Sequence, residues 1–210
     1  MKKKEEVYYA QERKEMFHYI PETARTVLDV GCGKGNFSRE LKRRGATVWG
    51  IEIMEPAAFE AREVLDKVLV GGVEDTMKQL PEQYFDCIIC NDVLEHLQYP
   101  DQVLLNLKNN LTPNGIIVCS IPNIRYWRYL RMLVFKKDWK YEDSGVMDRT
   151  HFRFFTRKSI QRMFEELGFH VVKLEGINPE KSFKFDLFNF LFLLSANDSR
   201  YQQYACVVKS

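Results

Sequence analysis

Thr26-Val27-Leu28-Asp29-Val30-Gly31-Cys32-Gly33-Lys34-Gly35 is the stretch from which the rest of the chain is read. A short apolar run leads into Asp29. Three glycines then fall at alternate positions, and a helical pattern runs from Phe37 to Arg44. Strand, glycine turn and helix in that order make the opening βα unit of a nucleotide-binding sheet. Glycine leaves the backbone open to a ligand because no side chain stands in the way. The helix that follows presents unpaired N–H groups at its start.

The next apolar run, Thr47 to Ile51, ends in Glu52. That carboxylate arrives about 20 residues after the first glycine, where it can accept hydrogen bonds from ribose hydroxyls. The glycine spacing also discriminates. A dinucleotide-binding loop places its third glycine three positions after the second. Here that position is Asn36 and the glycine is Gly35, which disfavours a nicotinamide dehydrogenase.

Composition narrows the field. The length of 210 residues suits one domain, and 45% hydrophobic residues suit a substantial core. A net charge of +2 gives no global field for nucleic acid or an anionic membrane. Lys2-Lys3-Lys4 is followed at once by Glu5-Glu6 and by no apolar segment, so a solvated end is expected rather than a signal peptide. No apolar run is long enough to span a bilayer. The 5 cysteines, Cys32, Cys87, Cys90, Cys119 and Cys206, are odd in number and lie mostly in strand-like runs. Reduced, buried thiols in a cytoplasmic protein are the expectation. Cys87 and Cys90 have metal-ligand spacing, but in a strand an odd offset sends them to opposite faces.

On the glycine loop and Glu52, the chain resembles the class I S-adenosylmethionine (SAM)-dependent methyltransferases. Asp29-Val30-Gly31-Cys32-Gly33-Lys34-Gly35 is similar to their first motif, and Glu52 stands at their acidic ribose ligand. The resemblance implies SAM as cofactor and a Rossmann-like α/β sheet of seven strands, with helices on both faces and a C-terminal antiparallel strand pair. It implies cofactor contacts from Asp29, Gly31, Cys32, Gly33, Gly35, Glu52 and Ile53. Val73, Glu74, Asn91, Asp92 and Arg13 join them at softer positions, and Asp75 is an alternative to Glu74 at the adenine edge.

Several further segments carry the comparison. Val7 to Ile20 has helical periodicity, with Tyr8, Tyr9, Glu12, Arg13 and Met16 on overlapping faces. In the related enzymes such a helix lies over the cofactor. Pro56 opens a helix with Ala57, Ala61, Val64 and Leu65 inward, and Val68 to Val70 is a third strand. Phe85 to Cys90 is a doubly covered fourth strand that runs into Asn91-Asp92-Val93-Leu94-Glu95-His96. Asp101 is a candidate cap for the helix through Leu111, Thr112 to Gly115 a candidate turn, and Ile116 to Ile121 a fifth strand. Thr156 is a candidate cap for a helix that Gly168 stops. Val171 to Leu174 and Tyr204 to Val208 are the last strands.

One domain over residues 1–210 is expected, with residues 124–155 and 178–200 as cap insertions. Within the first insertion, Asp148-Arg149-Thr150-His151-Phe152-Arg153-Phe154-Phe155-Thr156 resembles small bacterial methyltransferases related to the ubiquinone-pathway O-methyltransferases. That comparison implies a small-molecule acceptor methylated on oxygen or nitrogen. His151 and His96 are the candidate catalytic residues, because an imidazole titrates near neutrality. Asp92, Glu95 and His96 on one helical face are a possible divalent-metal set; helix capping and ligand contacts are preferred, so no metal is assigned. Two other functions compete. Arg125, Arg128 and Arg131 with their aromatic neighbours suit a nucleic-acid methyltransferase, though the near-neutral charge disfavours it. A SAM-binding protein without catalysis is the other. The apolar stretch Phe183 to Leu194 suits a lid or core first and a homodimer contact second.

Overall fold

In the computed structural model, residues 13–180, 182–192 and 196–209 are described. Seven strands form one sheet: β1 (Thr26–Val30), β2 (Thr47–Glu52), β3 (Lys67–Val70), β4 (Phe85–Asn91), β5 (Leu111–Pro122), β6 (His170–Pro179) and β7 (Tyr201–Lys209). Their spatial order is β3-β2-β1-β4-β5-β7-β6. β1 to β5 pair in parallel, and β7 inserts antiparallel between β5 and β6. This is the sheet and the C-terminal pair expected from the resemblance. Among the described residues, no helix is long and apolar enough to cross a membrane.

The apolar strands have cores on both faces because successive side chains alternate. On one face Leu28, Ile88 and Cys90 pack with Val73 of α3 (Val73–Thr76), with Leu104 and Leu107 of α4 (Pro100–Asn110) and with Ile160 and Phe164 of α6 (Arg157–Glu166). On the other, Val27, Cys87 and Ile89 pack with Phe37 and Leu41 of α1 (Asn36–Arg43) and with Ala58 and Ala61 of α2 (Glu55–Ala61). Cys87 and Cys90 thus lie on opposite faces, and all 5 cysteines are buried and unpaired.

Three local expectations are corrected. Asp101 is not the cap of α4: Tyr99 occupies that position without a side-chain hydrogen bond, and Pro100 starts the helix. Thr112 to Gly115 does not form a separate turn. β5 begins at Leu111, and the register jumps from Phe85–Leu111 to Cys87–Ile116, so these residues bulge out of the ladder. Gly115 fits there because a Cβ would stand 2.8 Å from the Phe85 carbonyl oxygen. The helix expected over Val7 to Ile20 is a 3-10 turn at Lys14–Tyr19, and its remaining positions through Glu12 lie outside the described residues.

The cap follows β5. Asn123 anchors it: its Nδ2 donates to the carbonyls of Asp198 (2.6 Å) and Tyr201 (2.9 Å), and its Oδ1 accepts from the Arg125 N–H. Beyond it, α5 (Trp127–Arg131) continues into a π-turn over Met132–Lys136. Tyr126 and Trp127 pack with Phe185 and Phe188 of α7 (Phe183–Phe192). The opposite face of α7 is open, with Phe183, Phe190 and Leu191 exposed.

Candidate active site

The turn after β1 is built by glycine conformation. Gly31, Gly33 and Gly35 all have left-handed φ, at 72°, 54° and 77°. At Gly31 a Cβ would also lie 2.9 Å from Val93 Cγ2. The Gly31 and Cys32 N–H groups donate to the Ile51 carbonyl, which binds the turn to the end of β2. Gly50 supports this from below, since a Cβ there would meet the Cys32 sulfur at 2.5 Å. The sequence reading missed that role; a glycine inside a strand is the signal for such a close approach.

Above the turn lies a cavity of about 700 Å³ along the carboxyl ends of the strands. Its wall includes Asp29, Gly31, Cys32, Gly33, Glu52, Ile53, Val73, Glu74, Asn91, Asp92 and Arg13, which places nearly all the anticipated cofactor residues together. Gly35 is the exception. It stands under α1, and a Cβ there would lie 3.4 Å from Val64 and 3.5 Å from Ala61, so its closeness serves packing. Asp75 also lies off the wall, unlike Glu74. Met54, Leu97 and Phe152, unforeseen from sequence, complete an apolar rim.

Glu52 is buried at the centre of this wall. One carboxylate oxygen accepts from the Gly33 N–H and the other from the Met54 N–H, each at 2.8 Å. These bonds fix the carboxylate and leave each oxygen a second lone pair. Asn91 has both amide atoms buried with no hydrogen-bond partner among the described residues. Orphaned polar atoms in a ligand-sized cavity are what a polar nucleoside would satisfy. Asp29 accepts from the Ser38 hydroxyl at 2.7 Å, and burial followed by the Glu52 charge pushes its carboxyl up to about 7.

The expected helical face of Asp92, Glu95 and His96 does not form. Asp92 has a left-handed φ of 54°, and only Leu94–His96 make a 3-10 turn. Asp92 is committed elsewhere: it accepts from Arg13 (2.6 Å), Ser120 (3.0 Å) and Gln203 (2.8 Å). Glu95 is buried, and neither carboxyl oxygen has a partner among the described residues. Burial, followed by the nearby Asp92 charge, raises its pKa well above the usual carboxylate range.

The Glu95 carbonyl accepts the Phe152 N–H (2.9 Å) and the Arg153 N–H (3.1 Å). That tie brings His151 beside His96, their rings 4.6 Å apart and edge-on. His96 Nδ1 faces the Thr150 carbonyl (3.3 Å) and hydroxyl (3.2 Å). Since the Thr150 hydroxyl donates to Asp148, it accepts from His96. His151 Nδ1 faces the Val146 carbonyl at 3.1 Å. Both imidazoles are thereby held as Nδ1–H tautomers with Nε2 open as an acceptor. Glu95, His96 and His151 bring one ligand-type atom each within 4.8 Å of one another, which makes them, in place of the set with Asp92, the residues among those described that could hold a cation.

His151 does not line the first cavity. It lines a second, of about 570 Å³, which shares Arg13, Asp92, His96 and Asp148 with the first. Burial and the neighbouring His96 lower the His151 pKa below its usual 6.5.

Residues 1–174 match the profile of a family described as "Methyltransferase domain". Similar proteins include the ubiquinone biosynthesis O-methyltransferase of Aeromonas salmonicida, 31% identical over 159 residues, 72% of this chain and 66% of that protein. The enzyme of the same name from Rickettsia canadensis is 28% identical over 167 residues, 76% of this chain and 69% of its own length. Among solved structures, a SAM-dependent methyltransferase from Archaeoglobus fulgidus superposes with a TM-score of 0.68 at 22% identity, covering 98% of this chain and 94% of that one. One from Mesorhizobium loti superposes with a TM-score of 0.67 at 18% identity, covering 95% of this chain and 97% of the other.

Proposed function

The chain belongs to the methyltransferase-domain family and is a SAM-dependent methyltransferase; from that premise we propose that it methylates a small molecule held in the second cavity, with His151 as the proton acceptor. When bound, SAM supplies a methyl carbon on a positively charged sulfur; transfer to a hydroxyl forms the O–C bond, leaves the C–S electron pair on sulfur and frees the hydroxyl proton.

The residues present fit that cofactor. Glu52 has lone pairs left for a ribose, the glycine turn leaves room for the backbone to approach, and the Asn91 amide is unpaired. Arg13 closes one side through its ion pair with Asp92, so both are held before any ligand arrives. Positioning is the main contribution such a site makes. The proton needs a base of near-neutral pKa. His151 offers Nε2 for it, because Nδ1 is spent on Val146.

The single observation carrying this reading is that two cavities meet at Arg13, Asp92 and His96, one walled by the glycine turn and the other by His151. The nucleic-acid reading loses support from the cap. Arg128 is paired with Glu180 at 3.0 Å, and the Arg131 guanidinium sits 5.5 Å from the Trp127 ring centre. Buried, unpaired thiols support a reducing, cytoplasmic setting. The exposed apolar face of α7 supports a contact between two copies of the chain.

Calorimetry with S-adenosylhomocysteine (SAH) tests the first cavity, with Glu52→Gln expected to weaken binding about tenfold or more. Single-turnover transfer tests the base. His151→Ala should slow it about a hundredfold or more with SAH affinity unchanged; an unaltered rate in a folded variant would remove His151 from the chemistry. A binding-only protein would bind SAH and yield no methylated product from any acceptor.

A further inference from the structure

We propose that the cap carries a docking surface for anionic lipid, on which the protein lies without crossing the bilayer. None of the residues of this surface lines either cavity, so the inference stands apart from the methyl-transfer reading. Half of the surface comes from α7. Its inward residues Phe185 and Phe188 are buried against Trp127. Its outward stripe, Phe183, Leu187, Phe190 and Leu191 at spacing i, i+4, i+7 and i+8, is apolar as well. Phe183 is 82% exposed and Phe190 78%. A helix apolar on both faces needs a second apolar medium besides the core.

The π-turn after α5 provides the other half. Leu133 and Val134 on it are exposed, and so is Trp139 just beyond it. Phe135 of this turn meets Phe188 of α7 with ring centres 6.4 Å apart, so the two stretches adjoin. Among the described residues, 9 of the 17 exposed large apolar side chains fall within 133–141 and 183–191. Such side chains scattered singly need no explanation, whereas a concentration of them marks an interaction site.

Charge names the occupant. From Arg125 to Lys140 there are six basic side chains and one acidic, Asp138, a net of +5 in a chain whose whole net charge is +2. The positive field is therefore local to the cap, and the near-neutral total hides it. On α7 itself Lys184 and Asp186 cancel. Arg128 is spent on Glu180. Lys136, Lys137 and Lys140 are exposed and make no ion pair among the described residues. A lysine stem can lie along acyl chains while its ammonium group meets lipid phosphates. A second copy would suit the apolar stripe taken alone, but a twofold contact here sets one lysine cluster against the other. Nucleic acid would answer the charge, yet Leu133, Val134, Leu187 and Leu191 offer no ring for a base to stack on. An anionic bilayer surface answers both properties.

Vesicle co-sedimentation of the full chain tests this, with phosphatidylcholine vesicles set against vesicles that also contain phosphatidylglycerol. The anionic vesicles should bind at least about tenfold more tightly, and added salt should erase the difference. Lys136→Gln, Lys137→Gln and Lys140→Gln combined should weaken that binding about a hundredfold. Phe183→Ser with Phe190→Ser should weaken it about tenfold or more and leave its salt dependence in place. Both variants should melt as the unaltered chain does, since all five side chains are exposed. Equal binding to both kinds of vesicle, or binding to neither, overturns the proposal, and so does tighter binding of single-stranded RNA. Vesicle binding indifferent to either set of substitutions overturns the assignment of the surface. A dimer in sedimentation velocity that the two phenylalanine substitutions dissolve gives the face to a second copy and overturns it too.

Discussion

At the scale of single residues, the site is governed by what burial does to ionisable groups. Asp29 is fully enclosed under the glycine turn, and its carboxyl titrates at about 7 against an ordinary 3.8. A carboxyl raised on folding favours the folded state at low pH and loses that advantage as pH climbs through the folded value. Asp29→Asn should therefore gain in stability relative to the unaltered chain between pH 4 and 8. The gain should be at least the roughly 1.4 kcal/mol that one unit of pKa represents. Denaturant unfolding of both proteins without ligand, at pH 4 and pH 8, measures it; a pH-independent difference would refute the burial argument. His151 works in the opposite direction. Its pKa is lowered below 6.5, so the unprotonated, proton-accepting form is already dominant at that pH. The acid limb of kcat/KM should have its midpoint below 6.5 and should vanish in His151→Ala. A midpoint above 6.5 would assign the limb to another group.

At the scale of elements, the clearest local device is the start of α6. The Thr156 hydroxyl accepts from the Ser159 N–H while the Ser159 hydroxyl accepts from the Thr156 N–H, a reciprocal cap. Thr156→Ala should cost about 1 kcal/mol of stability and leave SAH affinity untouched, since α6 supports the sheet's far face. Thermal unfolding with and without SAH separates the two effects. This element was legible because a cap, an apolar stripe and the stopping Gly168 agree with one another. The connection after β4 was not legible in the same way. Helical spacing of Asp92, Glu95 and His96 suggested one face. The bonds from Arg13, Ser120 and Gln203 draw Asp92 into a left-handed conformation, and those partners come from distant parts of the chain.

At the scale of the whole molecule, cores on both faces of the sheet make the thiols a gauge of global unfolding. Cys87 and Cys90 are fully enclosed, and burial raises both far above the ordinary thiol range, so neither forms a reactive thiolate in the folded state. Alkylation of the native protein at pH 8 should leave both unmodified, and denaturant should release them together in one transition. Rapid labelling of either in the native state would mean that a face of the sheet opens locally. The sequence by itself determined the βα rhythm, the glycine turn and the acidic end of β2, because each is written in residues that are neighbours or one crossover apart. Tertiary structure decided the rest. It set Gly35 to packing, moved the candidate cation ligands from Asp92 to His151, and divided the site into two cavities. The last two outcomes depend on atoms more than fifty residues apart, joined through the Glu95 carbonyl and the Arg13–Asp92 pair. Periodicity describes which way a side chain faces, while only packing settles what stands opposite it.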